Sequence, residues 1–191
     1  MYLVELILMK KKGFTLIELL VVIGILMILV SITVIAINPF EQIRQSKDTK
    51  RIAEINAIGQ AIRLGNVYGL TVPTGNIVYT SLPDSSSTCG SYTLPSLEVG
   101  WIYSCSSLSN YKNTDGTGWI PIDFSLMAEA EPFFKLPIDV DNIAQNGAYY
   151  TFISTSSKRF LLSALIESNR FKINNASKDD GIDPLRYELF K

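Results

Sequence analysis

A long apolar run near the N-terminus constrains this chain more than any other feature. Across Phe14–Ile37 the polar residues are Thr15, Glu18, Ser31 and Thr33. As a helix the run would span about 36 Å at 1.5 Å per residue, which is enough to cross a bilayer with some tilt. Lys10–Lys12 precede it, and no basic residue follows before Arg44. The positive-inside rule therefore predicts a cytoplasmic N-terminus with the rest of the chain outside.

The flanks of the run argue against an ordinary cleaved signal peptide. Its apolar core is longer than a secretory signal needs, and the residues that follow, Asn38–Phe40, are not small. Ahead of the lysines, the stretch MYLVELILM is apolar and fits such a flank poorly. This favours Met9 over Met1 as the start of translation, and a functionless extension is the alternative.

The helix is predicted to continue beyond the membrane as an amphipathic half over residues 38–65. Pro39 removes one backbone donor and is a place for a kink or a break. Farther on, helical periodicity places one set of apolar residues on a common face: Ile52, Ile55, Ile58 or Gly59, and Ile62. The polar residues Lys50, Arg51, Glu54 and Gln60 are predicted to fall on the other faces. Gly65, Asn66 and Gly69 signal the end of the helix.

The remainder, residues 66–191, is predicted to form one globular domain outside the membrane. Three segments rich in aromatic and aliphatic residues are strand candidates: Ala148–Ser154, Arg159–Glu167 and Arg186–Phe190. An antiparallel sheet of three or four strands, packed on the amphipathic half-helix, is the simplest architecture. The predicted fold class is therefore α+β.

Composition excludes several classes of function. Lys and Arg total 17 against 18 Asp and Glu, so no basic excess indicates a nucleic-acid partner. The absence of histidine removes the commonest general base and every His-dependent triad, and no enzyme activity is expected. Cys89 and Cys105 are too few for a zinc site. Outside the membrane they are predicted to form one disulfide, and two unpaired thiols are the alternative.

The stretch KKKGFTLIELLVVIGILMILVSI closely resembles the class III signal of type IV pilins and of type II secretion pseudopilins. The match covers the lysines, Gly13, Phe14, a glutamate at Glu18 and the apolar run. Looser similarity to the globular half of pilin-like proteins extends over DTKRIAEINAIGQAI, residues 118–125, residues 136–142 with AYYTFIS after them, and DDGIDPLRYELF. The fold that this resemblance implies is the pilin fold.

The resemblance also implies how the chain is processed and assembled. A prepilin peptidase would remove residues 1–13 by cutting between Gly13 and Phe14, and would methylate the new amine of Phe14. Residues 14–37 would then leave the inner membrane, driven by an assembly platform and its ATPase, and form the core of a helical homo-oligomeric filament. That filament would be extracellular or periplasmic.

Glu18 needs a physical reason, because a carboxylate at membrane depth costs on the order of 2.5–3.5 kcal/mol on insertion scales. Within the uncut chain the apolar run holds no cation near it. Cleavage creates an ammonium at Phe14, and in a staggered bundle the Glu18 of one subunit meets the amine of its neighbour. Such a buried pair penalises wrong registers. The simpler alternative is that Glu18 only reaches water near the headgroups.

A calcium ion is the one cofactor considered, because major pseudopilins often carry one. Asp139 and Asp141 are the first candidates as ligands, and Asp179, Asp180 and Asp183 form a second acidic cluster. The spacing is not that of an EF-hand, and Asp-rich turns are usually turns without a metal.

Three alternatives stay open at the level of sequence. The filament could be a surface pilus or the pseudopilus of a type II secretion system, and the chain a major or a minor subunit. A single-span anchored binding protein is the rival from another class. One departure from many pilins is that Ile35 stands where they have a proline, so a loosened stretch of helix would be shifted towards Pro39 or absent.

Overall fold

The computed structural model describes residues 13–156, 159–179, 181 and 183–190. The chain divides into two units, Met1–Gln42 and Ile43–Lys191. The predicted leader, residues 1–13, lies outside the described residues except for Gly13. The first unit contains helix α1, Leu16–Ile37.

Helix α1 is apolar on all sides and has no buried face in the described part of the chain. Its large apolar side chains are at least 46% exposed. The segment Leu16–Ile35 is long and apolar enough to cross a membrane. A helix that is hydrophobic all round needs apolar surroundings from a bilayer or from other helices, in agreement with the predicted membrane span.

The two hydroxyl side chains in the middle of α1 bond back to the helix itself. Ser31 Oγ donates to the carbonyl of Met27 at 2.8 Å, and Thr33 Oγ1 donates to the carbonyl of Val30 at 2.8 Å. Polar groups satisfied inside the helix do not oppose burial in an apolar medium.

The predicted long N-terminal helix is present, with an interruption at one residue. Asn38 has a left-handed backbone (φ 47°) and caps the end of α1. Its carbonyl accepts the N–H of Glu41 at 3.1 Å and so also starts helix α2, Pro39–Val67. Pro39 occupies the first helical position, where its missing N–H costs nothing. The interruption therefore follows Ile35 by three residues.

The second unit is built on a five-stranded sheet with the order β2-β1-β3-β4-β5. The strands are β1 Ile77–Pro83, β2 Ile102–Ser106, β3 Thr151–Ser156, β4 Arg159–Leu165 and β5 Arg186–Phe190. Neighbours pair antiparallel except β1 and β2, which are parallel. The α+β prediction is confirmed.

The predicted stripe of α2 packs against this sheet. Ile55, Ile58 and Ile62 are fully buried together with Phe152 of β3 and Leu162 of β4. The helix comes close to the sheet at Gly59, where a Cβ atom would lie 2.5 Å from the Leu189 side chain. A larger residue at this position would push the helix away from β5.

The last three strands lie where the sequence predicted them, within a few residues at their ends. Strands β1 and β2 were not predicted, and the sheet has five strands rather than three or four. Both fall in the Ser-, Thr-, Gly- and Pro-rich stretch that was read as a connection.

Three further elements complete the second unit. A 3₁₀ helix, Phe124–Ala130, follows an apolar segment whose Trp119 Nε1 donates to the carbonyl of Pro137 at 2.9 Å. A helical turn α3, Asn169–Phe171, runs into a π-helical turn, Lys172–Ala176. Of these elements, the 3₁₀ helix contributes Phe124 and Met127 to the main core.

Candidate functional site

The start of α1 brings together the residues predicted for processing and assembly. Gly13, Phe14 and Thr15 precede the helix, and Thr15 is its N-cap with an extended backbone. Phe14 is 87% exposed, and a Cβ atom at Gly13 would meet nothing within 4 Å. The predicted scissile bond therefore lies outside the helix in an open segment.

Glu18 closes a capping box with Thr15. The backbone N–H and the hydroxyl of Thr15 both donate to Glu18 Oε2 at 2.8 Å, and Glu18 N–H donates to Thr15 Oγ1 at 3.2 Å. The sequence carries the signal for this motif, Thr-x-x-Glu ahead of an apolar run, which the predicted partners of Glu18, a neighbouring subunit or water, do not include. Among the described residues no basic group pairs with this carboxylate, and none donates to Oε1.

The disulfide between Cys89 and Cys105 is confirmed. Both cysteines are buried, in a small second core with Leu82 of β1 and Tyr149. The disulfide holds the segment between β1 and β2 against the sheet face opposite α2. Because Thr80 Oγ1 lies 3.2 Å from Cys105 Sγ, the bridge packs directly on β1.

Asp84 organises the first turn of this disulfide-closed segment. Its carboxylate accepts the N–H of Ser91 at 2.9 Å, the hydroxyl of Ser91 at 2.8 Å and the N–H of Ser86 at 3.2 Å. These bonds, chiefly the one from the Ser91 backbone, hold the pKa of Asp84 below its ordinary value of 3.8. The Asp84 carboxylate thus holds together a turn that lies outside the helices and strands.

We expect an Asp84→Asn variant to lose stability relative to the wild type at neutral pH but not in acid. A carboxyl whose pKa is lowered on folding stabilises the fold above its unfolded-state pKa, and this contribution disappears as the pH falls through the lower folded-state pKa. The melting temperatures of both proteins in detergent should therefore converge below pH 3.8. A difference that stays constant from pH 7 into acid would contradict this role.

A second cluster of charges surrounds Arg51 of α2, which is fully buried. Its guanidinium binds Asp139 through Nε (2.7 Å) and Nη2 (3.0 Å), Asp48 through Nη1 (3.1 Å), and Asp141 through Nη2 (3.1 Å). Nη1 also lies 2.8 Å from a carboxylate oxygen of Glu167. Burial by itself would lower the pKa of Arg51, but the hydrogen bonds and charges of Asp139 and Glu167 raise it.

Asp48 extends this cluster to the chain that follows β4. Its carboxylate accepts the backbone N–H groups of Glu167 (3.0 Å) and Ser168 (2.7 Å). Asp48 and Arg51 together therefore bind α2 to two separate segments of the domain. The prediction that places Arg51 away from the apolar stripe is wrong, because 48, 51, 55, 58 and 62 follow the alternating spacing of three and four of one buried stripe.

The predicted calcium ligands Asp139 and Asp141 do lie together, but cations of the chain already bind them. Both oxygens of Asp141 accept Lys47 Nζ at 2.8 Å. Asp139 Oδ1 accepts the N–H of Asp141 at 2.9 Å besides its bonds to Arg51. The oxygens of Asp139 and Asp141 already bind Arg51 and Lys47, so the two carboxylates as they stand do not fit calcium, which needs several oxygen ligands. Calcium binding at these residues stays a prediction.

The second acidic cluster is likewise bonded to the backbone. Asp179 accepts the N–H groups of Gly181 (2.9 Å) and Glu188 (2.6 Å), and Asp183 accepts the N–H of Leu185 at 2.9 Å. Asp180 lies outside the described residues. Among the residues that the structure describes, no group of three or more potential ligands is arranged to hold a metal ion.

We expect Arg51→Met to lower the free energy of unfolding by about 3–5 kcal/mol, because it leaves buried carboxylates without their cation. Arg63→Met, at an exposed position of the same helix, is the matched control and should change stability by no more than about 0.5 kcal/mol. Denaturant unfolding in detergent measures both. Equal effects of the two substitutions would contradict the structural role of Arg51.

Comparison with known proteins identifies the N-terminal feature and leaves the rest of the chain without a match. The family model for the prokaryotic N-terminal methylation motif matches residues 8–36. No curated protein and no solved structure has a significant match to the chain. The chain therefore carries the class III prepilin signal of type IV pilins and pseudopilins, a family that is structural rather than enzymatic.

Proposed function

We propose that the chain is a structural subunit of a type IV pilus or pilus-like filament. The observation that carries the proposal is the arrangement at the start of α1. There a matched methylation motif places the Gly13–Phe14 bond outside the helix and Glu18 in its first turn. The exposure of α1 on every side supports it further, because such a helix requires an apolar environment that other copies of α1 would supply in a filament core.

The proposed course begins with a precursor in the cytoplasmic membrane, whose N-terminus lies inside the cell. A prepilin peptidase cuts between Gly13 and Phe14 and methylates the new amine, which stays positively charged. An inner-membrane platform and its ATPase then move the subunit from the bilayer into the growing filament. The outer domain ends on the outside of the cell or in the periplasm.

Glu18 is proposed to set the stagger between neighbouring subunits. Thr15 donates both its groups to Oε2, so Oε1 is available to the Phe14 ammonium of an adjacent copy. Two opposite charges in an apolar bundle add little net stability, but an arrangement that separates them is strongly disfavoured. The pair would therefore favour one register among several whose free energies would be similar if only apolar side chains packed together.

The disulfide-closed segment favours a surface pilus over a secretion pseudopilus. It covers one half of a sheet face and is stabilised by its own small core and by Asp84. Such an insertion protects a domain that is exposed outside the cell. A single-span anchored binding protein, the rival reading, would keep its N-terminal residues and would not polymerise.

The mass of the N-terminal peptide tests the processing step. Isolated from cells with the native machinery, the chain should begin at Phe14 and be one methyl group heavier than the unmodified peptide. Gly13→Asp should block the cut, since it changes the residue before the scissile bond while leaving α1 intact. A mature-sized product from Gly13→Asp, or a wild-type chain that retains Lys10–Gly13, would contradict the proposal.

Filament yield tests the role of Glu18. Glu18→Ala should still insert in the membrane, but its yield of filaments should fall about tenfold or more, because it leaves the neighbour's buried Phe14 ammonium without its counter-charge, and each loss of about 1.4 kcal/mol corresponds to a factor of ten. Ser31→Ala is the matched control, as it removes another polar group from the same helix. Normal filaments from Glu18→Ala would exclude the register role.

A further inference from the structure

The sheet face opposite α2 is only partly covered over β3, β4 and β5, where Ser163 and Glu188 are buried but Ile153 and Leu161 are half-buried and Phe190 is 45% exposed. Over β1 and β2 the disulfide-closed segment buries Leu82 and both cysteines. Over β3, β4 and β5, a groove of about 510 Å³ remains open. Its walls are mostly aromatic and aliphatic: Trp101, Ile153, Phe160, Leu161 and Phe190, with Arg159 at the edge.

The strand register explains why this groove is apolar. Ile153, Leu161 and Phe190 are direct partners on three adjacent strands, so they form one row across the face. Two residues away, the parallel row is polar, and Thr151 and Ser163 share a hydrogen bond of 2.6 Å. A solvated face of an antiparallel sheet usually alternates to polar residues. The apolar row therefore indicates a surface that another molecule covers.

The same domain carries a protruding aromatic side chain of suitable size. Phe134 is 93% exposed, more than any other aromatic residue described. The chain on either side of it is anchored, since Phe133 packs edge-on against Phe124 at 6.2 Å and the N–H of buried Leu136 donates to the carbonyl of Lys112 at 2.8 Å. An anchored segment loses little backbone freedom on docking.

We propose that the groove of one copy of this chain receives Phe134 of a second copy. Charge supports this occupant, because Arg159 at the groove edge has no ion pair among the described residues, and exposed Glu131 lies three positions before Phe134. Lys135 follows Phe134, so the segment carries one negative and one positive charge. Glu131 is the residue that we assign as the partner of Arg159. The two patches differ, so the contact is head-to-tail, the type that continues from copy to copy in a helical filament.

The small size of the contact fits a filament better than a free dimer. One phenylalanine buries about 150–250 Å², whereas stable interfaces bury about 1,200–2,000 Å² in total. The contact would form only where neighbours are already held together at high effective concentration. The inference therefore rests on the proposed filament, in which α1 supplies that association.

Cysteine cross-linking in assembled filaments of the full-length chain tests the contact. Lys135→Cys and Thr155→Cys together place thiols beside Phe134 and at the polar part of the groove lining, while Phe134 and the apolar row Ile153, Leu161 and Phe190 stay unchanged. Mild oxidation should give a ladder of covalent multimers on a non-reducing gel. The matched control combines Leu126→Cys, also at an exposed apolar position, with Thr155→Cys and should give none.

Two further variants in the cross-linking background separate a specific contact from chance encounters. Phe134→Ala should lower the yield of multimers about tenfold, as expected for a central aromatic anchor. Arg159→Glu should lower it about two- to fivefold, and adding Glu131→Arg should restore it. Equal ladders in the test and control pairs, or no effect of Phe134→Ala, would overturn the proposal.

The outcomes distinguish this inference from the function on which it rests. Wild-type filaments that begin at Phe14 but give no ladder would overturn the contact and leave the proposed function standing. Covalent dimers from Thr155→Cys alone would indicate that two grooves face each other, which also overturns it. A wild-type chain that forms no filaments would overturn both.

Discussion

The second unit, which holds the sheet, depends on one buried cation. Arg51 has no exposed surface and binds carboxylates from α2 itself, from the segment before β3 and from the segment after β4. Each of these carboxylates would be costly to bury without it. The cluster therefore fixes where two irregular segments lie against α2, which hydrophobic packing between Ile55, Ile58 and the sheet does not determine.

The N-terminal unit is stabilised in a different way from the second unit. No described side chain of helix α1 is buried, and its polar side chains bond within the helix itself, through Ser31, Thr33 and the Thr15–Glu18 capping box. Stability in this unit must come from its environment, as in a membrane or a bundle of identical helices. The one-residue interruption at Asn38 separates this part of the chain from a helix that is stabilised by its own domain.

The sequence was sufficient for those elements whose signals are local. The length of the apolar run located α1, helical periodicity located the stripe of α2, in which Ile55, Ile58 and Ile62 are buried and Ile52 is half-buried, and runs of aromatic and aliphatic residues located β3, β4 and β5. The pairing of β1 with β2 was not predictable in this way, because a parallel pair joins segments separated by a long connection. Arg51 was misassigned since its charge outweighed its position in the stripe. The apolar row of Ile153, Leu161 and Phe190 depends on strand register and emerges only from the paired sheet.

The capping box changes the physical account of Glu18. A bare carboxylate in the apolar run would oppose insertion, but the helix N-terminus favours negative charge and Thr15 supplies two neutral donors to one oxygen. These donors lower the cost of the charge without neutralising it, so its attraction to an ammonium persists. On the proposed function, Thr15 makes the precursor compatible with the membrane and Phe14 of a neighbour supplies the opposite charge. One carboxylate therefore serves both states because its two oxygens take different partners.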